Sequence, residues 1–449
     1  MAANLAAQGG EVNVTKFEVT SNYTNQPVDV SGGFIELTLY ESMLDTTVRA
    51  VANFADTGYG ASDDLAISES VFNKSAGEKT ELVVEDQYKQ QLSFTGDYQL
   101  RTRSSARESF GGSRNSSTSI TTDFYSKESI DNHLLKNRVV QKYEGKPSDN
   151  VKKILKDVLK TPKNIDVDLC ANNLNFLGFN EKVFYKCNWL CKNSVPSGLQ
   201  SSAEGILAGY LFYETADNGK GITGGYHFKS IDKLFTQKPV RKMIMNNLTS
   251  IPLGYDNKIL NHYENSSVDL ESQLMSGAVF QTNFESINPF DHNYNNNTFD
   301  YKKQNLVWNN GGTEFWKLAS DLKLQSEVSR YSSRFLDVGV LPAGSTWDKQ
   351  KERSKEINFD PDSIIRQATN RFNQLFTVQS TIIIACDLGL HVGDLIHCDF
   401  PEISSKKNQE VSKNKSGIYM IMDLAHKISS SGSYTSLHLV RDTINRKSF

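Results

Sequence analysis

The stretch that decides the fold is Phe376-Thr377-Val378-Gln379-Ser380-Thr381-Ile382-Ile383-Ile384-Ala385-Cys386, in which two sets of side chains alternate with a period of two. Such alternation predicts a β-strand with one buried face. Similar short runs follow at 395–400, 417–423 and 433–440, separated by clusters of Gly, Pro and Ser. Strands and turns in this order predict an antiparallel meander, and none of them carries a catalytic motif.

The other end of the chain shows the same pattern. Val14-Thr15-Lys16-Phe17-Glu18-Val19-Thr20 alternates, and turn residues then lead into alternating runs at 34–41 and 46–56. Further strands are predicted at 80–86, 91–101, 118–126 and 139–143. A sheet of so many antiparallel strands removes its exposed edges most simply by closing. We therefore expect a small β-barrel at each end of the chain.

The segment between these barrels has mixed character. Ser148 is a candidate cap for a helix over 151–159, which has apolar residues at helical spacing and ends before Pro162. A second helix is predicted at 202–210, and a strand pair at 209–215 and 225–230. Helices and strands in this order predict an α+β insertion of about one small domain.

After residue 240 the sequence returns to β character, with strands predicted at 259–264, 267–272 and 273–283. Two helices are then predicted, one over 314–324 and one that begins at Asp360-Pro361 and leads into the final meander. The second barrel is therefore expected to be split by an insertion.

Two polar segments are predicted to be loops. Residues 104–122 are rich in Ser, Gly and Arg with almost no apolar side chains, so burial cannot order them. They form either a surface loop or a segment that becomes ordered on a partner. Residues 288–297 are rich in Asn and are also expected to form a loop.

Composition narrows the class of protein. The 449 residues allow two to four domains, and the formal net charge of -3 gives no basic excess for a dedicated nucleic-acid binder. The first ten residues lack the features of a signal peptide, and no apolar run is long enough to span a bilayer. We expect a protein that is made in the cytoplasm and is soluble there.

Neither cysteines nor histidines form a clear metal motif. The five cysteines are an odd number, and Cys187 and Cys191 have loose spacing and no fourth ligand nearby, so buried free thiols are the favoured interpretation. His391, His397, His426 and His438 are expected to be half-exposed strand residues rather than a cluster. We predict no cofactor, no metal and no catalytic residue.

Several phrases, spread over nearly the whole chain, carry a resemblance to a known family. They are Val30-Ser31-Gly32-Gly33-Phe34-Ile35-Glu36-Leu37, Phe124-Tyr125-Ser126-Lys127-Glu128, Pro147-Ser148-Asp149-Asn150-Val151, Val392-Gly393-Asp394 and Gly417-Ile418-Tyr419-Met420-Ile421. In this order they resemble the central baseplate hub protein of contractile-tailed bacteriophages of the T-even type. That family is related to the hub part of type VI secretion spike proteins.

The resemblance implies a mainly β fold with α+β insertions and two tail-tube-like antiparallel β-barrels in one chain. The implied domains are a first barrel at 10–145, an α+β domain at 146–239, a split second barrel at 240–300 and 376–449, and a helical insertion at 301–375. It also implies a homotrimer in the virion, a baseplate hub that adapts the sixfold tail tube to the threefold cell-puncturing spike. The implied partners are the tail tube protein, the spike or tail lysozyme protein and the baseplate wedge proteins, while DNA passes through the lumen without specific binding.

Candidate interface residues follow from the strand at 34–41. Glu36, Thr38, Tyr40 and Glu41 are expected to face neighbouring subunits or the tube, and Ile35, Leu37 and Leu39 to face the core. A register error of one residue would invert this assignment. Gly393 and Asp394 are expected to form a turn of the second barrel.

Three alternative functions were weighed. The first is a hub or spike component of another contractile injection system. The second is a peptidoglycan hydrolase, but no pair of carboxylates lies in a recognisable hydrolase context, so we predict that the protein is not an enzyme. The third is a glycan- or receptor-binding virion protein, for which Trp308, Trp316 and Trp347 could line a sugar site.

Overall fold

The structure is a computed structural model. It describes residues 10–56, 71, 76–110, 118–197, 208–217, 224–246, 250–265, 281–288, 293–299, 328–335, 361–402 and 411–443. The helix predicted at 314–324, the strand predicted at 267–272 and all three tryptophans of the sugar-site alternative lie outside these residues, as does most of the helix predicted at 202–210.

The N-terminal part of the chain forms an antiparallel sheet, as its alternating side chains predict. Its strands are β1 Val12–Thr20, β2 Pro27–Asp29, β3 Phe34–Ser42, β4 Arg49–Asp56, β5 Lys79–Asp86, β6 Gln91–Phe94, β7 Leu100–Phe110 and β8 Thr118–Ser126. Phe17, Leu39, Phe54 and Phe124 are buried in its core.

An α+β segment follows and has its own core. Its helices are α1 Lys127–Asp131, α2 Pro147–Lys153, which continues as a π-helical turn over Ile154–Leu159, α3 Val183–Lys192 and α4 Ile231–Leu234. Its strands are β9 Arg138–Val139, β10 Lys142–Tyr143, β11 Ile165–Val167, β12 Phe176–Leu177, β13 Glu181–Lys182, β14 Tyr210–Thr215 and β15 Gly225–Ser230. The predicted strand pair is thus confirmed as β14 and β15.

The C-terminal part contains a six-stranded barrel closed by hydrogen bonds. Its strands are β16 Arg241–Ile244, β17 Asn257–Asn265, β21 Val378–Ala385, β22 Leu395–Asp399, β23 Gly417–Ser429 and β24 Tyr434–Arg441. Between β17 and β21 lie β18 Gln281–Asn288, β19 Asn293–Phe299 and β20 Val328–Phe335, which form a separate three-stranded sheet, and the helix α5 Pro361–Gln374. The meander predicted from residue 376 onward is confirmed.

The N-terminal and C-terminal sheets repeat one strand order. The first unit runs β1-β5-β7-β8-β4-β3 across the sheet, and the second runs β16-β22-β23-β24-β21-β17. When each strand of the first unit is matched with the strand at the same position in the second unit, the matched strands also occur in the same order along the sequence. The mainly β fold with two related units and α+β insertions is therefore confirmed.

The two units differ in how they close. In the second, β16 pairs with β17 and completes the ring. In the first, the path among the described strands stays open, because β1 pairs with β2 instead of β3. The strand β16 also runs parallel to β22, whereas β1 runs antiparallel to β5.

Two sequence predictions about the segments between strands were wrong, and a third segment contains a strand besides its predicted helix. Most of the region predicted as a polar loop at 104–122 belongs to β7 and β8, where backbone pairing in a hairpin replaces the missing apolar burial. The predicted Asn-rich loop contains β19, which pairs with β18. The segment 301–375, predicted to be helical, includes β20 besides α5.

The favoured interpretation of the cysteines as buried free thiols is confirmed. All five cysteines are buried free thiols. In the part of the chain that the structure describes, no helix is long and apolar enough to cross a membrane.

Candidate functional site

A single sheet face crosses both units. Strands β7, β8, β4, β3, β23, β24, β21 and β17 are successive antiparallel neighbours, and the two units meet where β3 pairs with β23. Both cores lie on one side of this sheet, because the register sets Leu37 opposite Ile428 and Glu41 opposite Leu424. The other side, which we call the continuous face, is left at the surface.

One lateral row shows that the register is unbroken across this face. Each residue in it is the pairing partner of the next: Arg101, Tyr125, Arg49, Tyr40, Ala425, Ser436, Ile383 and Asn261. Every member of the row is at least partly exposed. Each unit supplies four of the eight strands.

The charges on the continuous face are largely paired. Arg49 lies 3.0 Å from Asp123 and also stacks against Tyr40 and Tyr125. Lys427 Nζ lies 3.0 Å from Glu36 Oε2 across the β3–β23 pairing. His438 Nδ1 lies 2.8 Å from Asp423 Oδ2. Arg101, at the end of the lateral row, instead donates a hydrogen bond to the backbone oxygen of Gly77.

Three of the predicted interface residues lie on this face. Glu36, Thr38 and Tyr40 line a shallow groove of about 480 Å³, together with Lys427 and Tyr434 of the second unit. Tyr40 is 40% exposed, whereas Thr38 is largely covered. Their role in contacts between subunits stays a prediction.

The assignment of Glu41 and Ile35 was wrong. Glu41 is 3% exposed, because it follows Leu37 and Leu39 on the inward side of β3. Ile35 is 44% exposed, because a register shift between Phe34 and Glu36 turns it away from the core.

Glu41 lies in a charged seam between the two cores and the α+β segment. Its Oε1 atom is 3.1 Å from Nδ1 of His391 and accepts a 2.9 Å hydrogen bond from the backbone N–H of Ala216. Its Oε2 atom accepts a 3.3 Å hydrogen bond from the N–H of Val392. One buried carboxylate therefore joins β3, the end of β14 and the turn before β22.

The seam fixes unusual protonation states. Burial alone would raise the pKa of Glu41, but His391 and the backbone donor at Ala216 outweigh it and hold the pKa below its usual value. Burial opposes the charging of His391, yet Glu41 raises its pKa to about 9. Burial lowers the pKa of His426 to about 4. The expectation that these histidines are half-exposed strand residues was wrong for His426, which is fully buried.

Gly393 and Asp394 form the turn that was expected before β22. Gly393 has a φ of 88°, a left-handed conformation that favours glycine. A Cβ atom at this position would lie 2.5 Å from the hydroxyl oxygen of Tyr213. Asp394 Oδ2 accepts a 3.0 Å hydrogen bond from the N–H of His391 and so fixes the turn that carries that histidine.

A second buried charge cluster joins the first unit to the α+β segment, and the sequence analysis missed it. Lys163 Nζ lies 2.7 Å from Glu128 Oε2 and also contacts Glu214, and all three side chains are about 2% exposed. The hydroxyl of Ser126 lies within hydrogen-bond distance of both carboxylates, 2.8 Å from Glu128 and 3.0 Å from Glu214. The available signal was Glu214 itself, a carboxylate within the apolar strand Tyr210-Leu211-Phe212-Tyr213.

Among the described residues, no group of three or more His, Cys, Asp or Glu side chains could hold a metal ion.

Comparison with solved structures supports the fold. No protein-family model matches the chain, and no curated protein sequence matches it. The tail protein from Neisseria meningitidis MC58 is similar in structure, with a TM-score of 0.50 and 11% identity, over 96% of this chain and 98% of that one.

Two further similar structures have lower scores. The 43 kDa tail protein of prophage MuSo2 from Shewanella oneidensis has a TM-score of 0.47 and 7% identity, over 95% of this chain and 98% of that one. An E. coli component of the type VI secretion system has a TM-score of 0.45 and 9% identity, over 98% of this chain and 78% of that one. The chain therefore shares the fold of the Neisseria tail protein over nearly its whole length.

Proposed function

We propose that the protein is a structural subunit of a phage tail baseplate, a homotrimeric hub that adapts a sixfold tail tube to a threefold spike. The observation that carries this proposal is the repeated strand order of the two units, each of which supplies four strands to the continuous face. A chain with two equivalent units lets three copies present six similar surfaces.

The size of the continuous face fits a channel wall. Three copies of an eight-strand face contribute twenty-four strands, and at about 4.8 Å per strand they enclose a circumference of roughly 115 Å. The corresponding diameter is about 37 Å, and strand tilt widens it. Such a lumen has room for a nucleic acid or an extended polypeptide after side chains are added.

The charge pattern of this face also suits passage without retention. A DNA-binding surface needs unpaired Lys and Arg side chains that displace counterions from phosphates. On the continuous face Arg49 and Lys427 are each paired with a carboxylate, which leaves Arg101 as a cation without an ion pair among the described residues. In this proposal DNA therefore moves through the ring without specific binding.

The proposed partners follow from the two symmetries. The sixfold rim meets the tail tube protein, the threefold side meets the spike or tail lysozyme protein, and the outer surface meets the baseplate wedge proteins. The protein then acts in the virion as scaffold and channel, and its role is structural rather than catalytic.

Molecular mass in solution tests the proposal. Light scattering of the purified chain should give about 150 kDa, three times the 50.3 kDa of the monomer, and a complex with the spike protein should exceed this by the mass of the bound spike. Negative-stain images should show a ring with a threefold outline and a sixfold upper rim. A 50.3 kDa monomer under both conditions would overturn the trimer, and turnover of peptidoglycan by the purified protein would contradict the structural role.

A further inference from the structure

A polar pocket of about 310 Å³ lies beside the seam, between the α+β segment and the turn before β22. One wall carries Asp166, Asp168, Lys229 and Lys233, and the opposite wall carries His391 and Asp394. Tyr213 of β14 lies between these walls. The proposed hub function makes no use of this pocket.

The cationic side chains in the pocket already have partners. Lys229 Nζ lies 2.7 Å from Asp166, and Lys233 Nζ lies 2.9 Å from Asp168. His391 is paired with Glu41 behind the pocket wall. An anionic ligand would have to compete with these carboxylates for every positive charge.

Asp394 is the acid in the pocket that forms no close ion pair with another described residue, although His391 and Arg241 act on it at longer range. Its Oδ2 atom accepts the hydrogen bond from the N–H of His391, and its Oδ1 atom has no hydrogen-bond partner among the described residues. The guanidinium of Arg241 is instead paired with Asp387 at 2.9 Å. Burial raises the pKa of Asp394, and the charges of His391 and Arg241 offset this effect only in part.

A second polar group in the pocket is also unmatched. Tyr213 is 3% exposed, and its hydroxyl has no hydrogen-bond partner in the part of the chain that the structure describes. Its ring stacks on His227 with centroids 5.1 Å apart, and the absence of a side chain at Gly393 makes room for the hydroxyl. Because Tyr213 lines the pocket, a bound ligand can donate a hydrogen bond to this hydroxyl.

We propose that this pocket binds a compact organic cation, an alkylammonium or guanidinium group such as the end of a lysine or arginine side chain. Its N–H groups donate to Asp394 Oδ1 and to the hydroxyl oxygen of Tyr213, and its charge compensates the carboxylate. Charge-assisted hydrogen bonds of this kind are stronger than neutral ones. The source of the cation is either a free small molecule or a basic side chain of a neighbouring protein.

Calorimetric titration of the full-length chain with agmatine, which carries both an ammonium and a guanidinium group, tests the proposal. Asp394→Asn should weaken binding about tenfold or more, because it removes the charge but retains an acceptor for the His391 N–H. Tyr213→Phe should weaken binding several-fold while leaving thermal stability unchanged or higher, because the hydroxyl it removes has no partner. Glu264→Gln, which changes an exposed carboxylate of the same barrel outside the pocket, is the matched control and should bind like the wild type.

A second arm distinguishes the source of the cation. A short arginine-containing peptide that binds about tenfold tighter than agmatine indicates a side chain of a partner protein, because contacts beyond the guanidinium then add affinity. Equal or weaker binding indicates a free small cation. The proposal is overturned if neither ligand binds the wild type, or if Asp394→Asn binds both as well as the Glu264→Gln control does. Because the assay does not depend on oligomerisation, it can fail while the hub proposal stands.

Discussion

The carboxylate of Glu41 lies 3.1 Å from the imidazole of His391, although the two residues are 350 positions apart in the sequence. The contact joins β3 of the first unit to the turn before β22 of the second, where Glu41 is buried and His391 is only slightly exposed. The two units are thus held together by charge as well as by the pairing of β3 with β23.

Glu41→Gln should lower the free energy of unfolding by about 3 kcal/mol, because it leaves the imidazolium of His391 buried without its counter-charge. Urea unfolding monitored by circular dichroism measures this change. Glu36→Gln on the same strand is the matched control: its pair with Lys427 is half-exposed, so the change should be within about 0.5 kcal/mol. Equal effects of the two substitutions would mean that the seam adds no more than a surface ion pair.

Stability should fall on both sides of neutral pH. Burial opposes the charging of His391, but Glu41 raises its pKa to about 9, above the value of about 6.5 in an unfolded chain. Its contribution is therefore complete below pH 6.5 and is lost as the pH rises through 9. On the acid side, burial lowers the pKa of His426 to about 4, so stability is lost as the pH falls from about 6.5 toward 4.

A substitution can show which residue causes the loss of stability at acid pH, which we call the acid limb, as distinct from the alkaline limb above pH 6.5. In a series of urea unfolding curves from pH 4 to 10, His426→Gln should flatten the decline between pH 6.5 and 4, because it removes the group that must take up a proton. The alkaline limb should persist in this variant. An unchanged acid limb would show that other groups, such as Glu41, dominate there.

Lys163→Met should be strongly destabilising, by about 3–5 kcal/mol, because it leaves the carboxylates of Glu128 and Glu214 buried without a cation. Adding Glu128→Gln and Glu214→Gln should restore part of this loss. Thermal unfolding compares the variants, with Lys142→Met as the control for an exposed ion pair with Glu144. A triple variant that is less stable than the single one would argue against unpaired charge as the cause.

Gly393→Ala should cost more than Gly254→Ala, although both glycines have a φ near 90°. At Gly254 a Cβ meets nothing within 4 Å, so only the conformational cost of about 1 kcal/mol applies. At Gly393 the Cβ also meets the hydroxyl of Tyr213. Tyr213→Phe should therefore relieve part of the Gly393→Ala loss in a double-mutant cycle, and full additivity would exclude the clash.

Ala425→Lys with Ser436→Lys should create non-specific DNA binding at low salt. These neighbours lie in the exposed lateral row of the continuous face, and the new charges have no designed partners there. A filter-binding assay should show affinity that falls steeply as salt rises. Leu253→Lys with Val411→Lys adds the same charge at exposed positions off this row, and equal binding by both variants would mean that net charge alone is responsible.

The sequence predicted the strands well but not their polar interior. The alternation of apolar and polar side chains predicted the strand that contains Ile382 and Ile384, because a half-buried strand produces this pattern among neighbouring residues. Glu41 was misplaced because local pattern cannot reveal a partner 350 residues away. Glu41 lies on the same side of the strand as Leu37 and Leu39, which places it inward. A carboxylate is nevertheless expected at the surface, because charged side chains are rarely buried without a partner, and the partner His391 is remote in the sequence.

The repeated strand order could not be read from the chain either. The two units carry different insertions. Residues 266–377 separate β17 from β21, whereas only a short connection separates the corresponding strands β3 and β4. Topology depends on which strands pair, and pairing partners here are often remote in sequence. The prediction of a loop at 104–122 was wrong for a related reason, because backbone pairing stabilises these strands without the burial of apolar side chains.

The pairing of β3 with β23 also bears on how the chain is synthesised. Ser42 and Asp423, which are hydrogen-bonded across this pairing, are 381 residues apart. At a translation rate of about 5–20 residues per second, the inner edge of β3 waits roughly 20–75 s for its partner to leave the ribosome. During that interval the nascent first unit carries an open strand edge that can pair with other chains, so this protein should depend on a ribosome-associated chaperone until its last strands emerge.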